Sequence, residues 1–297
     1  MHVFERGWLS SNNVLFIGAD DATLVDSGYV SHAPQTIGMV AHALGGRRLD
    51  RILNTHLHSD HCGGNQALQQ AYDCAVFVPA KDVALVEAWD EDALSFKATG
   101  QRCDRFLAAG GLRVGEELIL GDMAWQVLGA PGHDPHSIVL YCPNERLLIS
   151  ADALWENGFG VIFPELDGES AFGEARATLE MLRELEIRLV IPGHGAPFED
   201  AQDAIARALT RLDYLAAEPL RNAQNAVKVL LKFLLLDRVR MPMAEVEHLF
   251  ATTPLLVAAR ERYFKQDAKE LAHWAALNLR RSGTAKLEDD VLVNRDF

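Results

Sequence analysis

Apolar positions along the chain switch between period two and period 3.6, and the switches mark its elements. Residues 14–18 and 22–26 are short apolar runs parted by Ala19-Asp20-Asp21, which predicts a strand pair. Residues 34–44 carry Ile37, Val40, Ala41 and Leu44 at helical spacing, and Gly45-Gly46 ends that helix. A strand is predicted at 49–53 and a helix at 65–72. Between 80 and 109, Val83, Leu85, Val86 and Trp89, then Leu94, Phe96, Phe106 and Leu107, predict two inserted helices. They would lie over the functional loops or pack on the sheet. Strands follow at 117–120, 124–128, 137–141 and 146–150, the last two as a hairpin, then an amphipathic helix at 171–185 and a buried strand at 189–191. This alternation predicts a layered α/β domain over residues 1–200.

Beyond about residue 198 the strand period nearly disappears. Residues 204–215, 223–236, 243–250, 255–263 and 268–280 predict helices, with breaks at Pro219, Pro242 and Pro254, and 285–293 a small hairpin. The stripe Val229, Leu230, Phe233, Leu234 and Leu236 is too apolar for a free helix and must cover something. A helical domain over residues 201–297 is therefore expected.

Composition narrows the class. The 297 residues are 49% hydrophobic, an ordinary globular value. No basic stretch followed by a long apolar run opens the sequence, and nothing reads as a membrane span, so a cytoplasmic protein with no membrane partner is expected. Cys62, Cys74, Cys103 and Cys142 show no paired spacing, which suits a reducing compartment, and Cys62 reads as a small packing residue. Net charge is −14, but residues 1–200 hold 13 Lys plus Arg against 29 Asp plus Glu, whereas residues 201–297 hold 15 against 13. An acidic domain repels polyphosphate, so a small molecule is the expected partner and nucleic acid is not.

The chemistry concentrates in Thr55-His56-Leu57-His58-Ser59-Asp60-His61. At an extended strand end His56 and His58 project to one side, and in the turn beyond, Asp60 and His61 swing towards a second point. Imidazole nitrogen and carboxylate oxygen are ligands that zinc takes.

The pattern His-x-His-x-Asp-His, followed in order by Ala130-Pro131-Gly132-His133, Ser150-Ala151-Asp152 and Ile191-Pro192-Gly193-His194-Gly195, resembles the metallo-β-lactamase superfamily, with a glyoxalase II-like metal site. The resemblance implies a four-layer αββα sandwich with an all-helical, winged-helix-like C-terminal domain. It implies that His56, His58 and His133 hold one metal, that Asp60, His61 and His194 hold another, and that Asp152 bridges them. Two zinc ions are expected, with iron or manganese as alternatives. Asp60 and Asp152 become the catalytic carboxylates, and Asp26 a support behind the ligands. Asp134-Pro135-His136 departs from the family pattern: Asp134 is expected to accept a hydrogen bond from a ligand imidazole, and His136 to face substrate or cap a strand. Trp155, Asn157 and Phe159 are expected to contact substrate, with Trp89 beside Trp155 and Phe159 at the entrance.

The implied activity is attack of a metal-bridging hydroxide on an ester, thioester, lactone or amide carbonyl. A mononuclear-iron persulfide dioxygenase, or a regulatory ligand-binding protein that keeps the metal site, are the alternatives. The acidic surround predicts acyl substrates of medium chain length over phosphodiesters and β-lactams. The C-terminal helices are expected to form a lid or a homodimer surface.

Overall fold

The computed structural model describes residues 1–295. Among them, two sheets stack face to face. The first runs β1 (His2–Phe4), β2 (Asn13–Ile17), β3 (Ala22–Val25), β4 (Arg51–Leu53), β5 (Ala75–Pro79) and β6 (Gly110–Leu112) in spatial order, antiparallel up to β3 and parallel after it. The second holds β7 (Glu117–Leu120), β8 (Met123–Gly129), β9 (Ile138–Cys142), β10 (Leu147–Ala151) and β11 (Leu189–Pro192) in the order β11-β10-β9-β8-β7. Only β10 and β11 are parallel in it. Phe16, Val25, Trp125, Leu140 and Ile191 fill the space between the sheets, where the Phe16 and Trp125 rings meet edge to face at 5.3 Å.

Helices cover both outer faces. Against the first sheet lie α1 (Ala33–Leu44), the one-turn α2 (Ser59–Cys62), α3 (Asn65–Tyr72), α4 (Val83–Ala88) and the one-turn α5 (Phe96–Thr99), burying Val40, Leu44, Leu68, Val86 and Phe96. After α6 (Pro164–Asp167), α7 (Phe172–Arg183) and α8 (Ala201–Ala216) cover the second sheet through Leu179, Leu182, Ile205 and Leu212. The αββα layering expected from the resemblance is therefore present. The division expected at residue 200 falls just ahead of α8, yet α8 packs on the sandwich, because Ala204, Ile205, Ala208 and Leu212 form one stripe.

The remaining helices, α9 (Leu220–Arg238), α10 (Met243–Thr252), α11 (Pro254–Tyr263) and α12 (Ala268–Arg281), bury Leu230, Leu234, Phe250, Leu256 and Leu271 in a second core that also takes in Val161 and Leu166. The expected hairpin is β13 (Ala285–Glu288) with β14 (Val291–Asn294), and β12 (Arg240–Pro242) pairs with β14 as a third strand. The apolar stripe of α9 does cover something: Phe233 meets Tyr29 edge to face at 5.2 Å in a small cluster with Leu9. Arg102 donates to Asp237 at 2.8 Å, and the Tyr29 hydroxyl donates to the same carboxylate at 3.3 Å.

Three differences from the pattern have physical causes. Strands β1 and β6 are three residues long, too short to display a period, and β5 is an apolar run buried within the parallel sheet. The second inserted helix shrinks to α5, because Gly100 at φ 70° ends it. Leu107 then lies outside the core, 71% exposed, its backbone held between the two ends of the Gln69 amide.

Candidate metal centre

The ligand cluster sits where β4 ends. Its turn is held from behind by Asp26, which adopts φ 57° and accepts from the Thr55 amide at 2.9 Å and the Thr55 hydroxyl at 2.8 Å. Asp26 also lies 2.7 Å from His61 Nδ1, so that nitrogen donates to the carboxylate and Nε2 is the one turned to the other ligands. The Thr55 hydroxyl, already donating to Asp26, accepts from His56 Nδ1 at 3.1 Å, which frees His56 Nε2 in the same way. Gly63 and Gly64 let this turn close on residues 27–30: a Cβ at Gly64 would stand 2.5 Å from the Ser27 carbonyl.

The second sheet brings the other ligands. His133 Nδ1 donates to the Val161 carbonyl at 2.5 Å, leaving Nε2 free. A bulge after Ile149 and the positive φ of Ala151, 46°, turn the chain so that Asp152 leaves β10 beside His61 and His133. Gly160 and Gly193 pack against the His133 ring and the Asp152 carboxylate, where a Cβ would collide with either. Asn12 ties the loop beyond β11, its side-chain amide donating to the carbonyls of Pro192 at 2.9 Å and Gly195 at 2.7 Å.

All seven expected ligands converge. His58 Nδ1 lies 3.1 Å from His56 Nε2 and 2.7 Å from His133 Nε2. Asp60 Oδ2 lies 3.0 Å from His194 Nε2, and Asp152 reaches His61 Nε2 with one oxygen and His133 Nε2 with the other, each at 3.4 Å. Three overlapping ligand groups result: His56 with His58 and His133; His56 with His61 and Asp152; Asp60 with His61 and His194.

The electrostatics suit cations. Burial, reinforced by the neighbouring imidazoles, pushes His56 well down, and burial brings His58 and His133 to about 4, so these rings are neutral. Burial also opposes charge on Asp60 and Asp152, but nearby histidines outweigh it and hold both carboxyls low. At His61 the carboxylates of Asp26, Asp152 and Asp60 overcome burial and raise the ring. Yet, among the described residues, His61 Nε2 and His194 Nδ1 are buried without a hydrogen-bond partner. The neutral rings of His56, His58 and His133, two carboxylates and the orphaned His61 Nε2 between them fit a divalent metal.

A cavity of about 650 Å³ opens over this centre. Trp155 and Phe159 line it, and Trp155 Nε1 donates to Asp152 at 3.2 Å. Asn157 does not line it: Trp155 and Gly158 bridge across a tight turn that puts Asn157 at the exposed tip. His136 lines a smaller neighbouring pocket, where its Nδ1 meets Asp82 at 2.5 Å. Asp134 accepts from the His136 amide at 2.8 Å and stands 3.9 Å from His58 Nε2, too far for the expected hydrogen bond. Trp89 packs on Phe96 and Phe106 inside the first sheet's outer layer, away from the entrance. Trp8 and Phe163 were not expected. Trp8 stacks on His194 at 5.2 Å and meets Trp155 at 5.4 Å, while Phe163 faces both His58 and His133. The signal available for Trp8 was a lone tryptophan before the first strand pair.

Residues 6–194 match the metallo-beta-lactamase superfamily. A hydroxyacylglutathione hydrolase of Bdellovibrio bacteriovorus is 28% identical over 61% of this chain, and the match spans 62% of that relative's own length. Among solved structures, a metallo-beta-lactamase family protein from Thermus thermophilus shares the fold across 99% of this chain and 97% of its own, with a TM-score of 0.58 at 21% identity. TTHA1623, solved in a di-iron-bound form, is 28% identical, with a TM-score of 0.56 over 69% of this chain and 97% of its own. No helix among the described residues is long and apolar enough to cross a membrane.

Proposed function

The chain belongs to the metallo-beta-lactamase superfamily, and from that premise we propose that it is a metal-dependent hydrolase of a small-molecule carbonyl, with a thioester as the first substrate to test and esters, lactones and amides after it. The observation that carries this reading is the convergence of three ligand groups, sharing His56 and His61, on the floor of a 650 Å³ cavity. In this reading His56, His58 and His133 hold one metal, Asp60, His61 and His194 hold a second, and Asp152 serves both. Zinc is the first candidate for this nitrogen-rich set, and the di-iron form of TTHA1623 makes iron the second. Divalent ions at such a site acidify water to a pKa of about 7 and polarise a carbonyl oxygen.

The chain's own contribution is orientation and exclusion of water. Asp26 and the Val161 carbonyl fix the tautomers of His61 and His133. Trp155 holds Asp152 through its indole N–H, and Trp8, Phe159 and Phe163 supply apolar wall. Asp60 and Asp152, kept ionised by the histidines, supply the negative charge that retains the cations. Metal analysis with thioester, ester and lactone panels tests the reading: about two metals per chain are expected, and Asp152→Ala should lower metal content and activity together. One iron per chain with oxygen consumption on a persulfide would replace it with the dioxygenase alternative. Tight ligand binding without turnover would replace it with a regulatory role.

A further inference from the structure

The acidic composition of residues 1–200 does not extend to the cavity wall. Helices α8, α9 and α12 contribute Arg211, Lys228, Lys232 and Arg281 to it, and the carboxylates lining it are Asp60 and Asp152, both already in the ligand cluster. The Lys232 ammonium is engaged, donating to the Thr284 carbonyl at 2.9 Å and to Asn294. Arg211 and Lys228 have no hydrogen bond or ion pair among the described residues. Both are half-buried. The Arg211 guanidinium stands 5.6 Å over the Phe159 ring, and Lys228 Nζ lies 6.0 Å from the centre of the Trp274 ring.

Clamping the loop that follows Asp152 does not require Arg211. Arg207, one turn earlier on α8, already donates to the Glu156 carbonyl at 2.7 Å and 3.1 Å. Arg211 and Lys228 instead line the same cavity: burial, then the Arg211 charge, lowers the Lys228 ammonium, and burial lowers Arg211. Two half-buried cations without a counter-charge are costly until an anion enters.

We propose that Arg211 and Lys228 form an anion subsite, so that the substrate is a carbonyl compound bearing a carboxylate or phosphate remote from the bond that breaks. The subsite grips that group while the carbonyl reaches the metal centre, and a cavity of about 650 Å³ has room for both ends. This rests on the hydrolase reading for the carbonyl, but the cation pair can be read separately.

The experiment compares S-acetyl-3-mercaptopropionate, S-acetyl-2-mercaptoethyl phosphate and neutral S-acetyl-2-mercaptoethanol on the metal-loaded full chain, as wild type, Arg211→Gln, Lys228→Gln and the double variant. Metal content and Tm are measured on each, and Lys228→Gln carries the test if Arg211→Gln fails to fold. In wild type, kcat/KM for at least one anionic compound should exceed the neutral one by tenfold or more, chiefly through KM, and the larger arm tells carboxylate from phosphate. That ratio should collapse towards one in the double variant. A wild-type ratio near one, or a ratio that survives the double variant, overturns the subsite. If no thioester is turned over, the hydrolase reading has failed, and calorimetric titration of 3-(methylthio)propionate and 2-(methylthio)ethyl phosphate against 3-(methylthio)propan-1-ol reads the subsite directly. Tighter binding of an anion, lost in the double variant, supports it; equal binding overturns it.

Discussion

At the scale of single residues, the tautomer locks carry the most testable consequences. Asp26→Ala strips the partner from His61 Nδ1 and from both Thr55 donors in a buried site. Stability should fall by about 3–5 kcal/mol, and metal affinity by roughly 10–100-fold; chelator competition with Asp26→Asn as the milder control checks it, and unchanged affinity in Asp26→Ala would contradict the lock. The buried rings also set a pH dependence in the metal-free chain. His58 and His133 lie at about 4 in the fold, against 6.5 ordinarily, so the unfolded chain binds more protons between those values. Stability should therefore drop as pH falls through that window, on the order of 3 kcal/mol per ring. His61, shifted upward, works in the opposite sense, its contribution being present at low pH and lost as pH rises. Thermal melts of chelated protein from pH 7 to 4 should show the loss, reduced in His133→Gln; a flat profile would refute it. Trp8 offers a cleaner separation. It is 56% exposed, so Trp8→Ala should leave stability within about 0.5 kcal/mol while raising KM several-fold.

At the scale of elements, the sequence was most informative where a strand ends in a ligand. The His56 to His61 turn, the His133 loop, Asp152 and His194 could each be placed because Gly and Pro punctuate those strand ends, and the side chains then meet as the resemblance implied. Less was legible where contact depends on distant chain. Trp8 reaches His194 only because Asn12 ties the two loops, a pairing no local pattern encodes. Asn157 stands at an exposed tip because the Trp155 to Gly158 turn is set by a backbone bridge rather than by side-chain chemistry. Helix α8 belongs with the sandwich for a reason its stripe of Ala204, Ile205, Ala208 and Leu212 did display. Two truncations follow from it. A chain ending at Asp200 should aggregate, because the outer face of the second sheet is bared; one ending at Glu218 keeps that face covered but bares Leu9, Tyr29, Val161 and Leu166, so it should be the more soluble of the two while losing its preference for anionic substrates along with Lys228. Equal solubility of the two, by size-exclusion chromatography of the expressed fragments, would show that α8 is dispensable to the sandwich.

At the scale of the whole molecule, charge averaged over half the chain does not describe the cavity, whose lining acids among the described residues are Asp60 and Asp152 alone, while Asp82, Asp92, Asp134, Asp167 and Glu169 line the pocket beside it. The basic wall comes from helices that the sequence places far from the ligands: α8 is held by the sandwich, and α9 is anchored over the metal centre by Phe233, Asp237 and Asn222, whose amide donates to the Ile162 carbonyl. The ligands themselves span the chain in a comparable way. Asp60 and His194 stand 3.0 Å apart across 134 residues. An ion held between them would join the two sheets across that long loop in the native state alone, and would stabilise it by an amount set by its affinity and free concentration, about 4 kcal/mol when the free ion stands a thousandfold above its Kd. The ion is then a reversible cross-link between two sheets, and the lifetime of the native state becomes tied to the residence time of the metal. Unfolding in denaturant should speed up with added chelator until the rate saturates at the metal-free value, so that loss of the ion, rather than heat or denaturant alone, decides when this chain is handed over to proteolysis.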